Sequence, residues 1–166
     1  MERKAALAGF EAARLQWEEA FARVPDDALH YLKPGDDYAL GGLQVHVNWV
    51  LAHYLRVFRG MVAIGFGELR AQDPPLAQDA RSGIDAAGRR RTRAEMARLH
   101  AEVKTALEGL HEADWTRKAP VVYAPGQEPY PTSAEDIVGW LTDHYREHVE
   151  QCAELIDEWR AAKAAG

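Results

Sequence analysis

Residues 137–159 read IVGWLTDHYREHVEQCAELIDEW, and their apolar side chains recur at helical spacing. The apolar face of this helix is formed by Ile137, Leu141, Cys152, Leu155 and Trp159. His144 and His148 continue the same series, in positions where a packed helix usually carries apolar residues. Residues four apart share a helix face, so both imidazoles are directed toward the helix that packs against this one. Because a buried polar side chain is costly unless it is hydrogen-bonded or binds a metal, the pair indicates a site.

Three further segments show helical periodicity, and no segment alternates convincingly as a strand. They are residues 3–24, 40–64 and 92–110, and the helix described above extends from about residue 132 to 162. The first of them places six apolar residues on one face: Ala6, Phe10, Ala13, Trp17, Phe21 and Val24. Four amphipathic helices bury their apolar faces against one another. The sequence therefore predicts an all-α four-helix bundle.

Capping signals mark the expected starts of the last two helices. Thr92 and Glu95 have the spacing of a capping box. For the last helix, two pairs have equivalent spacing: Thr132 with Glu135, and Ser133 with Asp136. Long loops rich in Gly, Pro and Asp separate helix two from helix three and helix three from helix four. No repeat or linker divides the chain, so residues 1–166 are expected to form one domain.

The composition narrows the classes of partner. The chain has 20 Lys and Arg against 26 Asp and Glu, which gives a formal net charge of −6. This balance argues against nucleic acid as the main partner, because that affinity depends on neutralising phosphates. One local run, Arg89–Arg91 with Arg93, is interpreted as a solvated helix start, with an anion-binding patch as the alternative. The longest apolar region, residues 43–66, is too polar for a membrane span, and the single cysteine fits a reducing compartment. The protein is therefore expected in the cytoplasm, with no membrane association.

A metal site inside a bundle takes ligands from facing helices, so the pair on the last helix needs a partner elsewhere. The second helix offers His46 and His53, which are seven residues apart and lie close to the same face. If the two helices start at the same end of the bundle, His46 lies at the depth of His144 and His148. His53 then lies about 10 Å further along. The predicted metal ligands are therefore His46, His144 and His148.

The remaining candidates have simpler interpretations. Cys152 lies one turn beyond His148 and is expected to be a small buried apolar residue, with an extra ligand or reactive thiol as the alternative. His53 is retained as a possible ligand or supporting group. His30, His100 and His111 are interpreted as surface residues. No Ser-based nucleophile is evident, and no side chain is assigned as the catalytic group.

Two motifs resemble those of the DinB-like superfamily, which includes the YfiT-like metal-dependent hydrolases and thiol-dependent transferases. One is Tyr38-Ala39-Leu40 followed by His46, and the other is the closing segment 137–148 with its H-x-x-x-H spacing. The order of helices and loops agrees over nearly the whole chain. The chain departs from the usual pattern at Tyr38, where tryptophan is more common, and at Ala39, where serine or threonine often begins the helix.

The resemblance implies an up-down-down-up bundle in which His46, His144 and His148 bind a divalent metal, zinc or nickel. Relatives use such a metal to activate a low-molecular-weight thiol, and others are described as hydrolases. It also implies a small-molecule substrate and a homodimer. Two groups of residues are candidates around the site. Arg56, Arg59 and the Arg89–Arg93 cluster are candidates for binding a carboxylate of the thiol, and Tyr123 or Tyr130 for lining the pocket mouth.

Three functional hypotheses remain open at this point. The first is a metal-dependent enzyme, either a thiol S-transferase or isomerase, or a hydrolase, whose nucleophile is a thiol or water activated by the metal. The second is a non-catalytic bundle that binds a metal or small ligand in stress protection. The third is an interaction protein that pairs through exposed apolar helix surface. A bound metal together with catalytic turnover would favour the first hypothesis, and a bound metal without turnover would favour the second. Unchanged thermal stability and behaviour of the His46→Leu and His144→Leu variants would favour the third.

Overall fold

A computed structural model describes residues 1–166, which form five helices and a small sheet. In chain order the helices are α1 (Arg3–Ala22), α2 (Gly42–Ala63), α3 (Asp79–Ser82), α4 (Ala86–Glu108) and α5 (Ala134–Ala165). The strands are β1 (Leu69–Arg70), β2 (Ala119–Val122) and β3 (Tyr130–Thr132). The helix α3 is a single turn, and the other four helices form the bundle. The predicted four-helix bundle is confirmed, whereas the sheet was not predicted.

The contacts along each pair of neighbouring helices define their relative directions. Parallel neighbours meet at Phe10–Tyr145 and Ala20–Cys152 (α1 with α5) and at Asn48–Thr92 and Arg59–Glu102 (α2 with α4). Antiparallel neighbours meet at Glu11–His100 and Val24–Arg89 (α1 with α4) and at His46–His148 and Tyr54–Trp140 (α2 with α5). The long helices therefore run up, down, down and up in chain order.

One continuous core holds the bundle together. It contains 35 buried hydrophobic residues, contributed by all four long helices and by the segments between them. The six residues predicted for the apolar face of the first helix are all buried, and the last of them lies just after the end of α1: Ala6, Phe10, Ala13, Trp17, Phe21 and Val24. Burial of each large apolar side chain contributes roughly 1.5–3 kcal/mol to folding, so this face is a major source of stability. None of the helices is both long enough and apolar enough to cross a membrane.

The start of α5 agrees with the start predicted from the sequence, whereas the start of α4 differs from it. The first turn of α5 has the capping box of Ser133 and Asp136, one of the two predicted pairs. The helix α4, however, begins at Ala86, about six residues before the predicted start. The Asp85 side chain accepts a hydrogen bond from Gly88 N at 2.6 Å and caps this earlier start. Thr92 consequently lies inside α4, where its hydroxyl donates to Gly88 O, and it forms no cap.

The sheet is built from segments too short to show alternation in the sequence. The central strand β2 pairs parallel with β1 and antiparallel with β3. The turn between β2 and β3 includes Gly126, whose φ of 79° suits glycine. Strands of two to four residues give no period-2 pattern over the length that such a signal requires. The sheet holds the loop before α5 against the bundle.

His100 is buried in the core, and its interpretation as a surface residue was wrong. Its side chain is stacked on Phe10 with ring centroids 4.0 Å apart, and only 3% of the residue is exposed. The Nε2–H group donates to the Glu11 carboxylate at 2.9 Å, and Nδ1 accepts from the Tyr145 hydroxyl at 3.1 Å. These bonds connect α1, α4 and α5. Burial lowers the pKa of His100 to about 4, although Glu11 opposes the shift.

The helices α2 and α3 approach so closely at Gly42 that a side chain there has no room. A Cβ at this position would lie 1.8 Å from Ala80 O, whereas a Cβ at Gly139 on α5 would meet nothing within 4 Å. We expect Gly42→Ala to lower the free energy of unfolding by about 1–3 kcal/mol through overpacking. Gly139→Ala should raise it by up to about 1 kcal/mol through helix propensity. Urea denaturation of both variants tests this, and an unchanged Gly42→Ala midpoint would contradict the close approach.

The buried state of His100 predicts a dependence of stability on pH. Its pKa in the folded protein is about 4, below the ordinary value of 6.5. The unfolded chain therefore binds this proton first, and stability that is complete above pH 6.5 is lost as the pH falls toward 4. Between pH 7 and pH 5, we expect His100→Gln to lose about 2 kcal/mol less than the unaltered protein, because glutamine does not titrate. Urea titrations of both proteins at the two pH values measure the difference. Equal losses would show that His100 is not buried as a neutral imidazole.

Candidate metal centre

Three of the seven histidines meet at the interface between α2 and α5. His46, His144 and His148, hereafter the histidine cluster, offer nitrogen atoms that all lie within 4.8 Å of one another. Nε2 of His144 lies 3.0 Å from Nε2 of His46 and 2.9 Å from Nε2 of His148. His148 is buried, whereas His46 and His144 are partly exposed. The structure thus brings together the three residues predicted as metal ligands.

The structure decides the relative direction of α2 and α5. The two helices are antiparallel, since Tyr54 lies beside Trp140 while His46 lies beside His148. This direction agrees with the up-down-down-up order that the family resemblance implies, and the condition of a common start at one end of the bundle is not met. His46 is five residues into α2, and His144 is well inside the 32-residue α5. The register that places Tyr54 beside Trp140 also places His46, near the start of α2, beside His144 and His148 in the first half of α5.

Hydrogen bonds alone do not satisfy the facing nitrogens. In the ring plane, Nε2 of a neutral imidazole has either one proton or one lone pair. Nε2 of His144 can therefore form one hydrogen bond, yet it has two nitrogen neighbours, in His46 and His148, within hydrogen-bonding distance. Only one of the two contacts can therefore be a well-directed hydrogen bond. The arrangement is strained as a hydrogen-bonded cluster and is suited to a cation that accepts all three lone pairs.

Burial keeps the cluster neutral. It lowers the pKa of His46 to about 4, and the proximity of His148 adds to the shift. Burial also lowers the pKa of His144 to about 3, with further contributions from His148 and His46. The pKa of His148 is lowered by burial as well, although its hydrogen bond to Gln151 opposes the change. All three imidazoles are thus unprotonated near pH 7, which is the form that binds metals.

Two neighbours orient the rings of the cluster. Nδ1 of His148 donates to Oε1 of Gln151 at 2.7 Å, which fixes the tautomer that directs the Nε2 lone pair inward. Tyr38 is stacked on His46, with ring centroids 4.3 Å apart. Nδ1 of His46 is buried without a hydrogen-bond partner. Gln151 was not predicted from the sequence, although its position three residues after His148 places it on the same helix face.

The other polar candidates lie outside the cluster. His53 is hydrogen-bonded through Nδ1 to Asp73, in the loop between β1 and α3. Cys152 is fully buried and packs against Ala20 O, and burial raises the pKa of its thiol to about 12. This thiol is therefore protonated at neutral pH, as expected for a small buried residue.

The arginines considered for anion binding are engaged within the protein. Arg56 pairs with Asp73, and Arg59 pairs with Glu102. Arg89 donates to Val24 O and lies over the ring of Phe21, with 5.2 Å between its guanidinium carbon and the ring centroid. These contacts anchor the surface of the bundle. They leave none of these three arginines free beside the histidine cluster.

The fold has counterparts among solved structures. YfiT from Bacillus subtilis, described as "a probable metal-dependent hydrolase with an unusual four-helix bundle topology", superposes with a TM-score of 0.76. It is 13% identical, and the match covers 95% of this chain and 87% of that one. A conserved protein from Enterococcus faecalis gives a TM-score of 0.64 at 12% identity, with 94% and 96% of the two chains covered. At these identities the likeness concerns the fold alone.

Sequence comparison supplies the family. No curated protein sequence is significantly similar to the chain. The family model of the DinB superfamily, however, matches residues 9–152, which include the four long helices in whole or large part and all three clustered histidines. With the bundle topology and the convergent imidazoles, this match shows that the chain belongs to the DinB superfamily.

Proposed function

We propose that the histidine cluster binds one divalent metal ion, zinc or nickel, and that the protein is a metal-dependent enzyme acting on a small molecule. The observation that carries the proposal is the meeting of three neutral imidazole nitrogens from two helices, with distances of 3.0 and 2.9 Å from His144 to its neighbours. Three histidine ligands are typical of catalytic sites that retain an open coordination position.

The cluster fits such an ion after a small adjustment. Zinc–nitrogen bonds of 2.0–2.1 Å in tetrahedral geometry separate neighbouring ligand atoms by about 3.3–3.4 Å. The two short contacts of His144 therefore need to open by only a few tenths of an ångström, and the nitrogens of His46 and His148, which lie within 4.8 Å of each other, need to come to the same separation. The ion would also resolve the conflict at Nε2 of His144, because each lone pair would then face a positive charge. Partial exposure of His46 and His144 leaves one side of the cluster accessible to a substrate.

The chemistry would be that of an activated nucleophile. When bound, a divalent metal lowers the pKa of a coordinated water or thiol and so supplies an anionic nucleophile near neutral pH. The protein's own residues would hold the metal ligands in position. Gln151 fixes the tautomer of His148, and Tyr38 is stacked on the ring of His46. Burial by the bundle limits the approach of water to the partly exposed side of the cluster.

The choice between water and thiol as nucleophile defines two versions of the proposal. The description of YfiT as a probable metal-dependent hydrolase supports water. The thiol version calls for a low-molecular-weight thiol supplied as a second substrate, because Cys152 is buried and protonated. Turnover of ester and amide substrates without thiol would favour hydrolysis. Turnover only with added thiol would favour an S-transferase or isomerase. A bound metal without either turnover would favour a binding protein.

Metal binding can be measured directly on purified protein. We expect one zinc or nickel ion per chain after reconstitution, and His148→Ala should lose it, because two imidazoles then remain. His111→Ala is the matched control, since His111 is exposed and lies outside the cluster. Elemental analysis of the three proteins gives the stoichiometry. If the unaltered protein binds no more metal than His148→Ala, the proposal is wrong.

Gln151 should influence the metal without being a ligand. Its carboxamide oxygen accepts the Nδ1 proton of His148 and so keeps Nε2 free for the metal. Removal of such an orienting partner typically weakens metal affinity about 10–100-fold, and we expect this loss for Gln151→Leu. Competition with a chromophoric chelator measures the affinity. Gln151→Glu should retain it, because a carboxylate accepts the same proton, and a weakening equal to that of leucine would contradict this role.

A further inference from the structure

A second histidine, His53, is built into a site of its own on α2. Its Nδ1 lies 2.5 Å from Oδ2 of Asp73, and Arg56 binds the other oxygen of the same carboxylate. Although burial opposes the change, hydrogen bonds from Arg56 and His53 lower the pKa of Asp73. Trp49 donates its indole N–H to Pro74 O at 2.9 Å, so the loop carrying Asp73 is held on α2 at two successive residues.

The bond to Asp73 determines what the other nitrogen of His53 can do. A carboxylate accepts the Nδ1 proton, so Nε2 of the neutral ring is a hydrogen-bond acceptor. Nε2 forms no hydrogen bond within the protein and is open to solvent, since the buried side-chain atoms without a partner are those of His46 and Arg89 alone. Trp49 and Arg56 hold the loop on α2, and this attachment of the loop accounts for the Nδ1 bond but not for Nε2. An accessible acceptor whose tautomer is fixed by Asp73 can receive a donor group from a ligand.

Aromatic rings surround this acceptor and continue toward the histidine cluster. Trp49 is stacked on His53, with an interplanar angle of 4° and 5.4 Å between centroids. The ring centroids of Tyr54 and Tyr123 lie 4.7 and 5.9 Å from the centroid of the same imidazole. Tyr54 in turn lies 5.6 Å from Trp140, on α5. Trp140 precedes His144 by one helical turn, so the aromatic rings connect His53 to the cluster along the interface between α2 and α5.

We propose that this surface binds the aromatic ring of a hydroxylated aromatic substrate, whose O–H group donates to Nε2 of His53. The rings of Tyr54, Tyr123 and Trp140 supply planar apolar contact, and Nε2 supplies the only unpaired acceptor among them that is held in a fixed tautomer. The inference rests on the proposed function, because it places the reacting end of the substrate toward the histidine cluster. Seven residues of helix separate His46 from His53, a distance of about 10 Å.

Two unreactive probes isolate the hydrogen bond from the chemistry. 4-Ethylphenol has the donor, and 4-ethylanisole has the same ring with the hydroxyl proton replaced by a methyl group. Their dissociation constants follow from NMR titration of the indole N–H signals of Trp49 and Trp140, in metal-free and zinc-loaded protein. We expect the phenol to bind roughly tenfold more tightly, the value of one good hydrogen bond. His53→Leu should abolish this preference, while His111→Leu, which alters an exposed histidine elsewhere, should retain it.

Asp73→Asn provides a second variant that keeps the size of the side chain. The amide can donate to Nδ1, which moves the imidazole proton to Nε2 and removes the acceptor. We expect the preference for the phenol to disappear, whereas a purely structural role for His53 would leave the ratio of the two affinities unchanged. Equal affinities in the unaltered protein, or no binding of either probe, would overturn the inference. The proposed metal function fails separately, in the elemental analysis, because probe binding to metal-free protein does not require the ion.

Discussion

The packing of α5 against two neighbours at once is the constraint on which the rest of the structure depends. This 32-residue helix is parallel to α1 and antiparallel to α2. Its face toward α1 buries Tyr145 and Cys152, and its face toward α2 carries His144. Apolar burial supplies most of the driving force, since dispersion and the hydrophobic effect scale with the area removed from water. The same contacts fix the register in which the histidines meet.

Polar groups inside the bundle make that register specific. A buried chain of hydrogen bonds runs from Trp17 on α1 through Gln44 to Asn48 on α2, and Asn48 donates to Thr92 O and to the exposed Glu95 on α4. His100 makes an equivalent connection among α1, α4 and α5. Sliding one helix by a turn would leave these groups buried without partners, at a cost of about 1–3 kcal/mol each. Apolar contacts tolerate such shifts more readily because they are not directional. The histidine cluster therefore lies in a bundle whose helices are held in fixed register.

Local signals in the sequence predicted local features well. The Ser133 and Asp136 cap depends only on residues three apart, and the buried face of α1 depends only on helical periodicity. Features that depend on competition between two possible caps, or on contacts between residues far apart in the chain, were harder to predict from the sequence. The cap at Asp85 replaced the one expected at Thr92, since the helix starts at Ala86 and the N–H groups after Thr92 are already bonded within it. His100 has a polar side chain near surface residues in sequence, and only Phe10 and Tyr145, far along the chain, show it to be buried.

The sequence by itself determined the helical class, the four apolar faces and the candidate ligands His46, His144 and His148. These features depend only on the 3.6-residue periodicity of nearby residues and on the chemistry of their side chains. Only the tertiary structure decided that α2 and α5 are antiparallel, that their register brings the three Nε2 atoms together, and that Asp73 holds His53. Those outcomes depend on which faces meet and at what register. That choice is made by the packing of the whole core, which no short segment encodes.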